Sequence, residues 1–289
     1  MNIYRSFSRR VIAGLMSCGC AAICLLSLTP ALAEVAAAGP ERPTILITGA
    51  NASHGLAFAE EYAALGWHVI ATCRTPAKAD RLNDLAARHD NVVVEELDII
   101  DDAAISALVE KYKDQPIDVL MNNAAINAFR FGPNRFGRID YEWFAEILNV
   151  NIIGQLKVSE AFLDNVIASE QKKIISMTST GGSITEVEIP IAPAYRASKA
   201  GLNMAMRSYS LALKRKGVIV GIIAPGTVDT EDYMNAEDPD SVPSNYKNMM
   251  RANRLAPRTA INEMIELIDR LTIEDSGVFY EWTGRVIPW

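Results

Sequence analysis

From Thr44 onward the chain alternates between two apolar rhythms. Thr44–Thr48, Trp67–Thr72, Val92–Val94, Ile117–Met121, Lys173–Met177 and Val218–Ile223 are short apolar runs, mostly rich in β-branched side chains. Such runs, bounded by turn residues, predict strands. Gly55–Leu65, Ala77–Arg88, Ala103–Tyr112, Tyr141–Ala168, Pro193–Lys214 and Ile261–Leu271 carry apolar residues at helical spacing and predict helices. Gly277–Glu281 is a candidate last strand. Strands separated by helices build βαβ units, which predict a parallel sheet with helices on both faces in one domain.

Two stretches interrupt the rhythm, Asn127–Ile139 and Thr227–Ala260. Both follow strands, so they are expected as loops at the carboxyl edge of the sheet, where open α/β folds bind ligands. The first holds Phe131, Phe136 and a cluster of Arg130, Arg135 and Arg138, which suits an anionic substrate or a solvated loop. The second carries Glu231, Asp232, Glu237, Asp238 and Asp240, the composition of a lid surface.

The first residues follow neither rhythm. Residues 1–33 contain no acidic side chain; Arg5, Arg9 and Arg10 precede the apolar run Val11–Leu28, and Ala31-Leu32-Ala33 follows Pro30. A basic region, an apolar region and a small-x-small site predict an export signal cut after Ala33. An uncleaved membrane anchor is the alternative, since the run approaches the length of a span. Ser8-Arg9-Arg10-Val11-Ile12 resembles the start of a twin-arginine signal, although an ordinary export route fits as well. Residues 34–42 form an Ala/Gly/Pro lead-in, and 43–289 the folded domain. The expected location is periplasmic.

The chain has 289 residues, 49% of them hydrophobic and 22% charged. That length suffices for a full core and the composition excludes a disordered chain. Removing a signal that holds three of the 28 basic side chains and none of the 35 acidic ones moves the net charge from −7 to −10. Such a balance argues against nucleic acid as a partner. Cys73 would then be the one cysteine left of four, a buried small residue rather than a reactive thiol. His54, His68 and His89 lack metal-ligand spacing, so no metal site is expected.

The first strand runs into Thr48-Gly49-Ala50-Asn51-Ala52-Ser53-His54-Gly55. Glycines between a strand and a helix let backbone N–H groups approach a diphosphate. Ser53 stands where the middle glycine is expected, and His54 is read as filling an apolar position against the sheet. The second strand leads to Arg74 where an acidic residue would bind a ribose 2′-hydroxyl. An arginine there pairs with a 2′-phosphate, which favours NADP(H) over NAD(H). Tyr195 and Lys199 lie four apart on a predicted helix and share a face. An ammonium beside a phenol favours the phenolate, so Lys199 is expected to lower the pKa of Tyr195 for proton transfer. Ser179 closes a strand and reaches the same cavity.

In this order the positions resemble the short-chain dehydrogenase/reductase family over essentially all of the chain after residue 33. Further matches are Asp98 in Leu97-Asp98-Ile99, Asn122-Asn123-Ala124-Ala125, Asn151 in Asn151-Ile152-Ile153-Gly154, and Pro225-Gly226-Thr227-Val228-Asp229-Thr230. The 16-residue step from Ser179 to Tyr195 and the ending through Trp289 resemble the branch named for the bacterial C-factor. The resemblance implies a Rossmann-type, doubly wound, mainly parallel seven-stranded sheet. It also implies hydride transfer between a nicotinamide and a small carbonyl or alcohol substrate.

In that family pattern Asn151, Ser179, Tyr195 and Lys199 would be catalytic. Tyr195 would exchange a proton with the substrate oxygen, Ser179 would stabilise that oxygen, and Asn151 would hold a water relaying protons to Lys199. Cofactor contacts would come from Gly49, Asn51, Ser53, His54, Gly55, Arg74, Asp98, Ile99, Asn123, Ala124, Ala125, Tyr195, Lys199, Pro225, Gly226, Val228 and Thr230. A homodimer through the Tyr141–Ala168 and Pro193–Lys214 helices is the expected assembly, without stable membrane association once the signal is removed. The alternative is a cofactor-binding signalling protein with little turnover, suggested by Ser53, by Ala125 and by the C-factor-like ending.

Overall fold

The elements in chain order are β1 (Thr44–Thr48), α1 (Ser53–Ala64), β2 (His68–Cys73), α2 (Asp80–Arg88), β3 (Val92–Glu96), α3 (Asp102–Lys111), β4 (Val119–Asn122), α4 (Tyr141–Leu148), α5 (Gln155–Ala161), α6 (Leu163–Ala168), β5 (Lys173–Met177), α7 (Pro193–Leu213), β6 (Ile219–Ala224), β7 (Thr227–Val228), α8 (Ser244–Arg251), β8 (Leu255–Ala256), α9 (Ala260–Arg270) and β9 (Phe279–Glu281). The computed structural model describes residues 42–126, 135–231, 233–235, 238, 240–251 and 255–289. The expectations for residues 1–41 and those for Arg130, Phe131, Asp232 and Glu237 lie outside these residues.

Seven strands form one sheet in the order β3-β2-β1-β4-β5-β6-β9. Every pairing in it is parallel. The chain therefore runs outward from β1 to β3 and returns to place β4 on the other side of β1. Ile45 is paired with Val69 of β2 and with Val119 of β4, so β1 is where the winding reverses. At such a switch point the loops leaving neighbouring strands diverge and open a crevice at the carboxyl edge.

Strand residues alternate between two cores, as a period of two requires. Ile45, Ile47, Val119, Met121, Ile175 and Ile223 pack on the face covered by α1, α2 and α9. Leu46, Leu120, Ile174, Val220 and Ile222 pack on the face covered by α3, α5, α6 and α7. The Rossmann-type expectation holds, in one domain with helices on both faces.

Two expected elements differ. The long Tyr141–Ala168 helix is divided: α4 passes into a π-helical turn at Asn149–Gly154, and Phe162, with φ −95° and ψ 10°, separates α5 from α6. Gly154 brings this turn close to the Ile99 side chain, from which a Cβ at that position would stand 2.8 Å. The Thr227–Ala260 stretch, read as a loop, contains α8 and a small parallel sheet that pairs Thr227 with Leu255 and Val228 with Ala256. Two-residue strands are too short to show a period, so the sequence pattern hides them.

Candidate active site

The turn from β1 to α1 is fixed from beneath. The Thr48 hydroxyl accepts from the backbone N–H groups of Asn123 and Ala124, both at 3.0 Å. The Asn123 side-chain amide donates to the carbonyls of Thr48 (3.0 Å) and Gly49 (3.1 Å). Asn123 thus shapes the turn through its side chain, while Ala124 packs beneath Gly49. A Cβ on Gly49 would lie 2.9 Å from the Ala124 Cα, and one on Gly55 would lie 2.3 Å from the Gly49 carbonyl oxygen. Both positions admit only glycine.

Ser53 has φ +52°, the left-handed region, so the residue at the middle-glycine position keeps the conformation a glycine favours. Its side chain and those of Asn51 and Ala52 are exposed. No side chain caps the start of α1, and its first turn holds no acidic residue. The leading N–H groups of α1 are thereby left to an anionic ligand. His54 is half-buried, its Nδ1 is 3.3 Å from the Ser53 hydroxyl, and its buried Nε2 has no partner among the described residues.

Beyond the turn, Arg74 follows β2 with an exposed side chain that forms no ion pair among the described residues. Cys73 beside it is buried, and burial raises its thiol pKa. Asp98 is half-buried just past β3, and its Oδ1 accepts from Ile100 N at 3.2 Å. Ala125 is exposed at the crevice end of β4. Pro225 and Gly226 leave β6; Gly226 adopts φ +67° against Trp282. Val228 is buried in β7, and the Thr230 carbonyl accepts from Arg258, which also pairs with Glu60 at 2.6 Å. The buried Asp229 caps the next turn, accepting from Tyr233 N at 2.9 Å and Met234 N at 2.6 Å.

The opposite wall is built on α7. Pro193 occupies its first turn and Ala192, at φ +51°, precedes it. Tyr195 and Lys199 follow on one face. Lys199 is buried, its Nζ donates to the Met177 carbonyl at 2.9 Å, and it stands 5.8 Å from the centre of the Tyr195 ring. The Ser179 hydroxyl is hydrogen-bonded to Tyr195 and accepts from Gly181 N at 3.1 Å. Three of the four expected catalytic side chains therefore meet at one point.

Their electrostatics correct the expected role of Lys199. Burial raises the Tyr195 pKa above the usual phenol value, and the Ser179 hydrogen bond offsets only part of that rise. Burial also lowers the Lys199 pKa to about 8. With its ammonium directed at the Met177 carbonyl, Lys199 does not overcome the desolvation of the phenol. In this state Tyr195 holds its proton at neutral pH.

Asn151 lies in the π-helical turn, fully buried. Its Oδ1 accepts from Ile126 N at 2.7 Å, and its Nδ2 donates to Ile126 O (3.1 Å) and to the Ser198 hydroxyl (3.0 Å). Ser198 in turn donates to the Tyr195 carbonyl at 2.7 Å. The Asn151 amide protons are both engaged, so its side chain ties the β4 crevice to the Tyr195 helix. A water at this side chain would meet only a remaining lone pair of Oδ1.

Sequence reasoning missed several supporting residues. Ser198 completes the Asn151 link. Thr178 donates to Asn203 at 2.6 Å, and Asn203 reaches the Gly182 carbonyl. Ser198 and Asn203 lie with Lys199 on the buried face of α7, and polar residues on an otherwise apolar helical face were the available signal. The segment between Ser179 and Tyr195 is moored to the chain end. Thr185 N donates to the Trp289 carbonyl at 2.9 Å, Ser183 donates to the Pro288 carbonyl at 2.6 Å, and Arg285 pairs with Glu186 at 3.0 Å. Arg135 and Arg138 are both exposed, and Trp143 packs in a small cluster with Ile147 and Ala194.

A seven-stranded parallel sheet with a glycine turn at its switch point, faced by a Ser-Tyr-Lys group whose lysine is buried, defines a nucleotide-dependent oxidoreductase fold. The short chain dehydrogenase family profile matches residues 43–241, and the chain belongs to this family of NAD(P)-dependent oxidoreductases. An uncharacterized oxidoreductase of Schizosaccharomyces pombe is 31% identical over 253 residues, covering 84% of this chain and 96% of the relative. The C-signal protein of Myxococcus xanthus is 33% identical over 174 residues, covering 60% of this chain and 93% of the relative. Among solved structures, the NADPH-bound carbonyl reductase from chicken fatty liver superposes with a TM-score of 0.72. It is 29% identical, with 86% of this chain and all of that chain covered.

Proposed function

We propose that the protein is an NADP(H)-dependent carbonyl reductase or alcohol dehydrogenase in which Tyr195 is the general acid and base. The observation that carries this reading is the half-buried Tyr195 hydroxyl, hydrogen-bonded by Ser179 beside the buried Lys199 at the switch-point crevice. The residues present fit a dinucleotide: Gly49 and Gly55 let the β1–α1 turn close tightly where a Cβ would clash with the backbone, and α1 begins uncapped. Arg74, exposed and without an ion pair among the described residues, supplies a cation for a 2′-phosphate, and a solved relative holds NADPH.

When bound, the nicotinamide supplies or accepts the hydride. The chain's own residues handle the proton. In the reducing direction Tyr195 Oη donates its proton to the carbonyl oxygen, and the Ser179 hydroxyl donates a hydrogen bond to the same oxygen as charge develops. Lys199, held by the Met177 carbonyl, stabilises the phenolate left behind. Asn151, through Ser198, fixes the start of α7 so that these groups keep their spacing. In the oxidising direction the phenolate takes the alcohol proton.

The test is to mix the full chain with NADPH and a panel of small carbonyl compounds and to follow the reduced nicotinamide. Turnover that vanishes in Tyr195→Phe with NADPH binding retained supports the reading. A Tyr195→Phe variant that turns over like the parent defeats it. A low-turnover, cofactor-binding signalling role is the second reading, favoured by Ser53 at positive φ and by the similarity to C-signal. It predicts NADPH binding with no turnover on any carbonyl.

Export belongs to the same proposal: a signal cut after Ala33 delivers the domain to the periplasm, and amino-terminal sequencing that finds Glu34 first supports it. An intact Met1 on a membrane-bound protein favours the anchor instead. Pairing through α4–α7, which expose Ile153, Met204 and Leu211, completes the reading and predicts a dimer by light scattering.

A further inference from the structure

His54 is a half-buried polar residue that the proton chemistry above does not use. Its Nε2 is shielded from solvent without a hydrogen-bond partner, while Nδ1 lies 3.3 Å from the Ser53 hydroxyl. The Ser53–Nδ1 contact is compatible with either tautomer; in the one taken here the Ser53 O–H donates to Nδ1, and the imidazole proton sits on Nε2 as an unmet donor. A buried donor without an acceptor is rare and marks a place where a partner arrives. His54 stands in the first turn of α1, beside the uncapped N–H groups and the two obligatory glycines. An apolar side chain would fill the same space without an unmet group.

We propose that His54 positions the dinucleotide, with its Nε2–H donating to an oxygen of the bound diphosphate. This rests on the dinucleotide reading given above. Ser53 has a part in it: its hydroxyl fixes the imidazole tautomer, which a glycine at that position could not do. The pair Ser53–His54 thus exchanges glycine's freedom for an added side-chain donor.

The charge environment supports the assignment. Burial lowers the His54 pKa to about 4, and among the charged groups around it Lys199 on α7 is the one that acts on the ring, in the same direction. The imidazole is therefore neutral at pH 7 before the ligand arrives. A diphosphate against Nε2 opposes Lys199 and favours the imidazolium, so binding raises the His54 pKa. By linkage, NADPH then binds more tightly as pH falls from 7 toward 5.

The chain has three histidines, so their ring protons can be followed separately by NMR, with His54→Gln identifying the His54 signal. Without ligand the His54 midpoint is expected at about 4. With saturating NADPH it is expected to rise by about one unit or more. His54→Gln keeps an N–H donor and should hold NADPH affinity within about twofold at pH 7. His54→Ile removes the donor and should weaken binding by about tenfold. Both variants should lose the part of the pH dependence that the parent alone shows, since the titration of NADPH itself is common to all three.

A His54 midpoint unmoved by NADPH, or a His54→Ile variant that binds as tightly as the parent, overturns the inference while the oxidoreductase reading stands. Failure of the parent to bind either NADPH or NADH defeats both.

Discussion

The two walls of the crevice are made differently. The β1–α1 wall acts through backbone: obligatory glycines, uncapped N–H groups and a left-handed Ser53, all held by Thr48 and Asn123. The α7 wall acts through side chains: Tyr195, Lys199 and Ser179, with Ser198 and Asn151 bracing them. The side-chain wall keeps the family's residues intact. The backbone wall departs from them at Ser53 and His54 and still keeps the family's conformation. A backbone site depends on dihedral angles, which neighbouring hydrogen bonds can impose on a non-glycine residue. A side-chain site depends on functional groups, which nothing nearby can replace.

Tyr195→Phe makes the sharpest break, because it removes the proton from the side-chain wall and leaves the backbone wall untouched. Losing a general acid lowers turnover by roughly 10²–10⁴-fold. Kd for NADPH, measured by fluorescence quenching, should stay within about twofold of the parent. A parallel loss of binding would mean that the two walls are not separable.

Gly55→Ala is the counterpart on the other wall. The new Cβ would stand 2.3 Å from the Gly49 carbonyl oxygen and 2.6 Å from the Asn123 amide nitrogen, neither of which is a flexible chain end. Strain of this kind costs about 1–3 kcal/mol. Denaturant unfolding should show that loss, together with weakened NADPH binding. An unchanged midpoint would show that the turn is softer than its hydrogen bonds imply.

Lys199→Met sharpens the contrast through stability. The folded-state pKa of Lys199 is lowered from 10.5 to about 8, so between those values the unfolded chain holds more protons than the native one. Stability of the parent therefore rises with pH across that window, and at pH 7 the buried ammonium costs roughly 3 kcal/mol. Lys199→Met should unfold at a higher denaturant concentration at pH 7, lose that advantage near pH 10 and be inactive throughout. If the variant is instead less stable at pH 7, the Met177 hydrogen bond outweighs desolvation.

The same contrast explains what was legible in the sequence. The seven main strands and most helices follow from apolar periodicity, since each strand feeds two cores and each helix presents one apolar face. Tyr195, Lys199 and Ser179 were legible as types at positions. The π-helical turn at Asn149–Gly154 was not, because its contacts are tertiary: Gly154 meets Ile99, and Asn151 reaches Ile126 and Ser198. The direction of the Tyr195 shift is not legible for a related reason. Spacing on a helix shows that an ammonium is near, whereas burial of the phenol is a property of the whole crevice.

Ser53→Gly makes the smallest change and bears most directly on how the backbone wall tolerates its departure. A left-handed conformation costs a non-glycine residue roughly 1–2 kcal/mol. Glycine relieves that strain, and its freer unfolded chain returns about 0.4–1 kcal/mol of the gain. The net effect on the unfolding midpoint should be a stabilisation of about 0.5 kcal/mol. If Ser53 served only as a strained substitute for glycine, NADPH binding would tighten along with stability. Its hydroxyl also lies 3.3 Å from His54 Nδ1, so the substitution releases the imidazole tautomer as well. Stability and affinity should therefore move in opposite directions, with Ser53→Gly more stable and weaker for NADPH. Both quantities rising together would mean that the serine contributes nothing to the dinucleotide site.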